Sequence, residues 1–202
     1  MTLVAIDTET TGVGWHDEAF MVSVAYTSIN GDIKSYVWDK RETSHWDYCM
    51  EEIEYYLIES DKIIMHNAKF DIQKLCRLGF PLSLFSDTSK WEDTQAMAHL
   101  YNEQESTSLK HLARLYLNEQ TDEDEVLRTW RRKNKIKKDQ GYEPIPHEIL
   151  APYAMKDAEF TLRLYSFLDR VLPSDVRPLY DIEKRLTMCL FAIETRGMAI
   201  VS

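Results

Sequence analysis

The chain has 202 residues and a formal net charge of −10 at pH 7. Its length favours one domain of ordinary size, and no apolar stretch approaches the ~18 residues of a membrane span. Three widely separated cysteines, Cys49, Cys76 and Cys189, form no C-x-x-C pair, which argues against a disulfide framework or a zinc site and favours a reducing cytoplasm. We expect no signal peptide, because the sequence leads straight into a predicted strand.

The first predicted element is a strand that ends in two acidic residues. Leu3 to Ile6 is an apolar run long enough for a buried strand and too short for a helix. Asp7 and Glu9 follow two residues apart, which places both carboxylates on one face of the strand and turns Thr8 to the other. Two neighbouring carboxylates repel each other and favour a bound cation such as Mg²⁺ or Mn²⁺. Considered alone, the pair fits a solvated acidic turn equally well.

An antiparallel hairpin is predicted next. Phe20–Thr27 and Ile33–Trp38 are rich in aliphatic and aromatic residues, and Asn30-Gly31 between them is a strong hairpin signal. Together with the first strand, these segments predict a three-stranded antiparallel meander.

The middle of the chain predicts an alternation of helices and strands. A helix over 44–58 is expected to use Ser44 as its N-cap, and residues 62–66 are expected to form a strand. A second helix should run from Lys69 to a glycine cap at Gly79, with Asp71 in its first turn.

Two side chains at the ends of predicted strands, His66 and Asp93, could be mistaken for metal ligands. Residues 91–94 predict a short strand that leads into a helix ending near residue 100, and a further helix is expected from Ser108 to Leu117. We expect Asp93 to be a structural helix cap and His66 to be a packing residue.

Residues 119–138 change from acidic to basic, with seven basic residues in the last eleven positions. One interpretation is a solvated helix, which is what runs of charge usually form. The other is a groove wall that contacts a nucleic-acid backbone, with Trp130 stacking on bases. The net negative charge argues against nucleic acid in general, but this local concentration of basic residues weakens the objection.

Two long helices are predicted near the end of the chain. The helix from Pro152 to about Val171 carries Tyr153 and Asp157 four residues apart, on one face. The helix over 177–196 stops at Gly197. It carries apolar side chains at helical spacing, namely Ile182, Leu186, Leu190 and Ile193.

Three short motifs, in this order, resemble those of the DEDD superfamily of 3′–5′ exonucleases, which has a ribonuclease H-like fold. They are D-T-E-T at 7–10, N-x-x-F-D at 67–71 and Y-x-x-x-D at 153–157. Because Pro152 occupies the position of the histidine in the other branch, the chain resembles the tyrosine branch. The likeness runs from about residue 2 to 168 and is strongest to the proofreading domain of phage family A DNA polymerases.

This resemblance implies an α/β fold, a ribonuclease H-like mixed five-stranded sheet flanked by helices. It implies an exonuclease domain at 1–172 and a helical segment at 173–202 that resembles the beginning of a polymerase domain. The implied activity is metal-dependent hydrolysis of DNA from the 3′ end, releasing 5′-mononucleotides. The implied partners are a single-stranded DNA 3′ end or frayed primer terminus and a linked or associated polymerase domain, in the host cytoplasm if the protein is phage-encoded.

The resemblance also implies residue roles. The catalytic set is Asp7, Glu9, Asp71, Tyr153 and Asp157, whose four carboxylates would hold two divalent metal ions, Mg²⁺ or Mn²⁺. Asp7 would bridge both ions, Glu9 and Asp157 would complete the site on the nucleophile side, and Asp71 would hold the second ion. Tyr153 would orient the attacking water, since a phenol with a pKa of ~10 is a poor base at pH 7. We expect no basic residue to be fixed among these carboxylates.

Four further residues are candidate contacts to the terminal nucleotide. They are Thr8, Thr10, Asn67 and Val13, the last as an apolar wedge against the terminal base. Trp15 is an alternative wedge, or a residue that only caps the edge of the core. Two other functions remain open, a 3′–5′ exoribonuclease of the ribonuclease D kind and a non-catalytic nucleic-acid-binding module.

Overall fold

A computed structural model describes residues 2–120, 122–137 and 141–197 of the chain. Its sheet has the strand order β3-β2-β1-β4-β5, with β1 antiparallel to β2 and parallel to β4. The strands are β1 (Leu3–Thr10), β2 (Ala19–Thr27), β3 (Ile33–Asp39), β4 (Lys62–Met65) and β5 (Trp91–Asp93). This arrangement confirms both the predicted meander and the mixed five-stranded sheet.

Helices cover both faces of this sheet. They are α1 (Trp46–Glu59), α2 (Ala68–Leu78), α3 (Ser83–Ser86), α4 (Thr94–Tyr101), α5 (Leu109–Leu117), α6 (Asp122–Lys133), α7 (His147–Val171) and α8 (Arg177–Arg196). None of the described helices is long and apolar enough to cross a membrane.

Alternating residues of β1 belong to two separate cores. Val4 and Ile6 pack with side chains of α1 and α2 on one face, whereas Ala5 packs with α4, α5 and α7 on the other. Since side chains alternate along a strand, Asp7 and Glu9 face the α7 side of the sheet, and Thr8 faces α2. The acidic end of β1 therefore lies between two helices that can each add a carboxylate.

Two predicted helix starts are wrong. α1 begins at Trp46 with His45 as its N-cap residue, so Ser44 lies before the cap. α7 begins at His147, five residues before the predicted start, and contains Pro152 in its interior. Pro152 has no N–H to donate to the carbonyl four residues earlier, which belongs to Glu148. The helix tolerates the proline because Glu148 is exposed. Burial of Leu150 holds this first turn against the core.

Two predicted backbone features are confirmed. Gly79 ends α2 with a φ of 116°, and its N–H donates to the carbonyl of Cys76. Gly31 takes a φ of 88° in the β2–β3 hairpin. Both conformations lie in the left-handed region, which glycine adopts without a steric penalty.

Helix α8 packs on the rest of the molecule through Tyr180, Lys184 and Phe191. The apolar stripe predicted for this helix faces the other way. Its side chains, Ile182, Leu186, Leu190 and Ile193, are between 40% and 63% exposed. Leu179, which lies outside the predicted stripe, extends this exposed apolar side. α8 thus presents an uncovered apolar face along most of its length; residues 198–202 of the predicted C-terminal segment lie outside the described residues.

Candidate active site

The predicted carboxylates converge at the acidic end of β1. Asp7 and Glu9 extend from this strand toward α7, which carries Tyr153 and Asp157 in the turns that face it. The β1–β2 register shifts between Glu9 and Thr10, which leaves Phe20 of β2 as a bulge opposite the acidic end of β1. Bulges of this kind redirect side chains at the ends of strands and are frequent next to active sites.

Asp71 reaches the same strand end from α2, on the opposite face of the sheet. Its Oδ1 accepts a 2.8 Å hydrogen bond from the Thr8 hydroxyl and a 3.1 Å bond from the Thr8 backbone N–H. β4 pairs with β1 only up to Ala5, so the N–H of Thr8 is free to bind this carboxylate. Thr8 therefore fixes the orientation of Asp71.

Burial raises the pKa values of all four carboxylates, and repulsion within the cluster adds to this shift for Asp7 and Glu9. Burial is the main cause for Asp7, and the charges of Asp71, Glu9 and Asp157 raise its pKa further, to well above the usual range. Burial followed by repulsion from Asp157 does the same to the pKa of Glu9. Burial raises the pKa of Asp71 to about 7, although the bonds from Thr8 oppose the shift. The site concentrates negative charge that the protein only partly compensates.

The expectation that no basic residue is fixed among the carboxylates is wrong. Lys110 on α5 forms an ion pair with Asp157, and its side chain is only 13% exposed. Its charge lowers the pKa of Asp157, Glu9 and Asp7, against the larger effect of burial. The sequence places Lys110 in a helix but carries no signal that this helix packs on α7 beside the site.

The two lysines next to the ligands in sequence point elsewhere. Lys69 pairs with Glu194 and Lys156 pairs with Glu159, at N–O distances of 2.6 and 3.1 Å. Neither compensates the charge of the carboxylate cluster, so proximity in sequence to Asp71 and Asp157 is misleading here.

In the part of the chain that the structure describes, no three acidic, histidine or cysteine side chains are already arranged to hold a metal ion. Asp71 accepts a hydrogen bond from Thr8, and Asp157 forms an ion pair with Lys110. The donor set itself fits a hard divalent ion, because it consists of carboxylate oxygens. Burial, and after it repulsion from neighbouring carboxylates, raises the pKa values of Asp7 and Glu9, and a bound cation would relieve that repulsion.

Tyr153 lies against this cluster with its hydroxyl in hydrogen-bonding range of Asp157, whose pKa it lowers. Burial, and after it the charge of Asp157, raises the pKa of Tyr153 well above its usual value. The ring stacks on Tyr142 with a centroid separation of 6.1 Å. Tyr153 is thus a neutral hydrogen-bond donor rather than a base.

Glycine is required where the segment between α6 and α7 meets the end of β1. Gly141 has a φ of +64°, and a Cβ atom at this position would lie 2.1 Å from the carbonyl oxygen of Thr11. The next residue, Tyr142, donates its N–H to the carbonyl of Thr10 at 3.1 Å. This close approach brings Tyr142 against Tyr153 and closes one side of the site.

A cleft of about 740 Å³ opens beside Tyr153 and Asp157, between α5 and α6. Its basic lining consists of Lys110, Arg114, Arg128, Arg131 and Arg132. α6 is anchored by Leu127, which is buried, and by Trp130, which packs against the same core. Trp130 lines a different surface depression from these arginines, so the structure does not support its predicted stacking role in the same groove. Lys138 of the predicted basic segment lies outside the described residues.

The predicted nucleotide contacts differ in their surroundings. The hydroxyl of Thr10 donates to the carbonyl of Gly12, as that of Thr8 does to Asp71. Asn67 is exposed at the start of α2 with a left-handed φ of 72°. Val13 is 87% exposed. Contacts of these side chains with a substrate remain predictions.

The loop that carries Val13 is tied to the protein body. The buried ammonium of Lys74 donates to the carbonyls of Gly14 and Asp17, at 2.6 and 2.9 Å. Trp15 in the same loop packs edge-on against Phe191 of α8, with 6.4 Å between ring centroids. This contact favours the interpretation of Trp15 as a core-edge residue and leaves Val13 as the wedge candidate.

His66 and Asp93 have structural roles, as predicted. The ring of His66 bonds to the hydroxyl of Thr94 and the carbonyl of Thr107. The carboxylate of Asp93 caps α4 by accepting from the N–H of Gln95, and it also accepts from the N–H of Asn67. Asp93 therefore joins the starts of α2 and α4.

The chain is similar in sequence to part of several phage DNA polymerases. The chain is 29% identical to the DNA polymerase DpoZ of Salmonella phage PMBT28, over 98% of this chain and 31% of that protein. It is also 29% identical to the DNA polymerase of Escherichia phage T5, over 75% of this chain and 20% of that protein. The chain thus spans a third or less of the length of these relatives.

A solved structure described as an ExoI/SSB-Ct complex aligns with 82% of this chain and 43% of its own chain, at 13% identity and a TM-score of 0.49. The family model described as 3′–5′ exonuclease matches residues 1–173, which include every predicted catalytic residue. The chain belongs to this 3′–5′ exonuclease family.

Proposed function

We propose that the chain hydrolyses DNA from the 3′ end and acts as the proofreading part of a DNA polymerase, in the cytoplasm of the cell where that DNA is copied. The observation that carries the proposal is the meeting of four carboxylates and one neutral tyrosine beside an arginine-lined cleft. A 3′ end of single-stranded DNA has a phosphate backbone for the arginines and a terminal phosphodiester for the carboxylate site.

The carboxylates are proposed to hold two divalent ions, which supply Lewis acidity and charge neutralisation for phosphodiester hydrolysis. Asp7 is the shared ligand in this proposal, with Glu9 and Asp157 on one side and Asp71 on the other. Tyr153 keeps its proton, because its pKa is raised, and donates a hydrogen bond that orients the attacking water. Thr8 supports the site by fixing Asp71.

The terminal nucleotide is proposed to contact the loop after β1. Val13 is a suitable wedge because it is exposed on a loop that Lys74 anchors, so pressing a base against it costs little ordering of the chain. Thr10 at the end of β1 and Asn67 at the start of α2 are the further proposed contacts to this nucleotide.

A polymerase domain, linked or associated, is the proposed partner of α8, with 1–172 as the exonuclease domain and 173–202 as the segment that leads toward it. The relatives are DNA polymerases at least three times as long as the matched segment. The uncovered apolar stripe of α8, from Leu179 to Ile193, is the kind of surface that a following domain buries.

The function is tested with 5′-labelled single-stranded oligonucleotides of DNA and RNA. We expect DNA to shorten in single-nucleotide steps with Mg²⁺ or Mn²⁺ and to remain intact in chelator. A circular single-stranded DNA should survive, because it has no 3′ end. Preferential cleavage of RNA would favour an activity of the ribonuclease D kind, metal binding without hydrolysis would favour a non-catalytic module, and internal cuts would contradict an exonuclease.

The arginine face of α6 is proposed to contact the DNA backbone. Replacing Arg128 and Arg132 by Gln should weaken single-strand binding and reduce the slope of log affinity against log salt by ~0.7 for each phosphate that the variant no longer binds. The measurement is fluorescence anisotropy of a labelled oligonucleotide at several salt concentrations. Lys133→Gln is the matched control, since Lys133 lines the depression on the other side of α6. If the slope of log affinity against log salt is the same for both variants, the interpretation of α6 as a solvated helix is favoured.

A further inference from the structure

The side chain of Lys110 is a largely buried cation, 13% exposed, for which the three exonuclease motifs give no role. Its ammonium pairs with Asp157 and lies 4.2 Å from the ring centroid of Tyr153 and 5.3 Å from that of Phe160. Both rings belong to α7, so the ammonium is held over a hydrophobic wall beside the site. Removing an ammonium group from water costs free energy, which the ion pair with Asp157 offsets here.

The position of Lys110 resembles that of a cation bound to the carboxylate cluster. Its charge acts on Asp157, Glu9 and Asp7, three of the four acidic groups. One unit charge does not neutralise four carboxylates. A divalent ion at Asp157 would bring a higher charge to the same oxygens and would repel the ammonium.

The cleft offers a second position for the ammonium of Lys110. Lys110 lines the same cleft as Tyr153, Asp157 and the arginines of α6. α5 itself is anchored by Leu112 and Ala113, which are buried. A lysine carries its charge on four flexible methylene groups, so the ammonium can move by several ångströms while the helix stays in place.

We propose that Lys110 holds Asp157 in the metal-free protein and transfers its ammonium to a substrate phosphate in the cleft when a divalent ion binds Asp157. Lys110 thereby competes with the metal and then contributes to binding of the strand that is cut. This inference rests on the proposed function for its second step, whereas the first step concerns metal binding alone.

The test compares Lys110→Gln with the wild type and with Lys156→Gln. Gln keeps a donor for Asp157 and removes the charge. Lys156 is a matched control because its ammonium also lies 5.3 Å from the Phe160 ring but pairs with Glu159. Calorimetric titration with Mg²⁺, without DNA, should give a dissociation constant about tenfold lower for Lys110→Gln, because a like charge within a few ångströms of the ion is removed. Lys156→Gln should bind Mg²⁺ as the wild type does.

DNA binding should change in the opposite direction. With Mg²⁺ and an oligonucleotide whose last linkages are hydrolysis-resistant phosphorothioates, Lys110→Gln should bind more weakly, and its salt slope should fall by ~0.7. In chelator, the slopes of variant and wild type should agree. A residue with a purely structural role would weaken both metal and DNA binding.

Unchanged or weaker Mg²⁺ binding by Lys110→Gln would overturn the inference, and so would tighter Mg²⁺ binding with an unchanged salt slope. The metal titration involves no hydrolysis, so it decides the first step even if the chain proves not to degrade DNA. If Lys110→Gln does not fold, the wild type can be tested by NMR. The ¹⁵Nζ signal of Lys110 is assigned by its absence in Lys110→Arg. This signal must shift when Mg²⁺ is added, and an unchanged signal would equally reject the inference.

Discussion

Asp7→Ala is expected to abolish measurable hydrolysis while the fold remains intact. Asp7 is the proposed shared ligand, so its loss removes charge and geometry from both metal positions. The loss should exceed the ~10²–10³-fold effect of removing one hydrogen-bond donor from a charge-stabilising site. Single-turnover rates on a 5′-labelled oligonucleotide, together with Mg²⁺ titration by calorimetry, measure both consequences.

The same substitution should stabilise the metal-free protein in a pH-dependent way. Burial and three neighbouring carboxylates raise the pKa of Asp7 in the folded state above its unfolded value. The folded state therefore binds more protons than the unfolded state, so the wild type loses stability relative to Asp7→Ala as pH rises above about 4, where Asp7 ionises in the unfolded chain. In chelator, we expect the melting temperature of Asp7→Ala to exceed that of the wild type by more at pH 8 than at pH 4.

Asp47→Ala, at an exposed position in the first turn of α1, serves as the control and should match the wild type in rate and metal binding. If Asp7→Ala still hydrolyses DNA, the proposal that Asp7 is a shared metal ligand is wrong. A lower melting temperature for Asp7→Ala in chelator at pH 8 would show that its carboxylate stabilises the metal-free fold rather than opposing it.

Much of this architecture could be predicted because it depends on local rules. The alternation of side chains along β1 places Asp7 and Glu9 on one face, and helical periodicity places Tyr153 and Asp157 on another. The structure brings these two faces together at the end of β1. The motif order indicates the family, which the match over residues 1–173 establishes.

Features that depend on tertiary packing could not be predicted in this way. Lys110 approaches Asp157 only because α5 packs on α7, across 47 residues of sequence. Proline preference predicts the start of α7 at Pro152, yet burial of Leu150 extends the helix by five residues. Similarly, the spacing of Leu186 and its neighbours on α8 predicts an apolar stripe but not which side of the helix is covered. In each case, a long-range contact overrides a local preference.

Tyr153 has surroundings that permit one role and oppose another. Burial and the charge of Asp157 raise its pKa well above the usual value, so it stays protonated in the pH range where proteins are stable. A protonated phenol cannot accept the proton of the attacking water, but it can donate a hydrogen bond that orients a reacting group. The charge of Lys110 over the ring also holds the side chain in place.

Tyr153→Phe is therefore expected to reduce the single-turnover rate about 10²–10⁴-fold, the range for losing a group positioned for proton transfer or orientation. The ring and its stacking on Tyr142 remain, and metal binding should be nearly unchanged because the four carboxylates are intact. Tyr165→Phe, another buried tyrosine of α7 that packs in the core beneath the sheet, is the matched control and should keep the wild-type rate. If Tyr153→Phe hydrolyses DNA as fast as Tyr165→Phe, the phenol serves only to pack against Tyr142 and Lys110. The orientation of the attacking water would then have to come from Glu9, the remaining candidate on the nucleophile side.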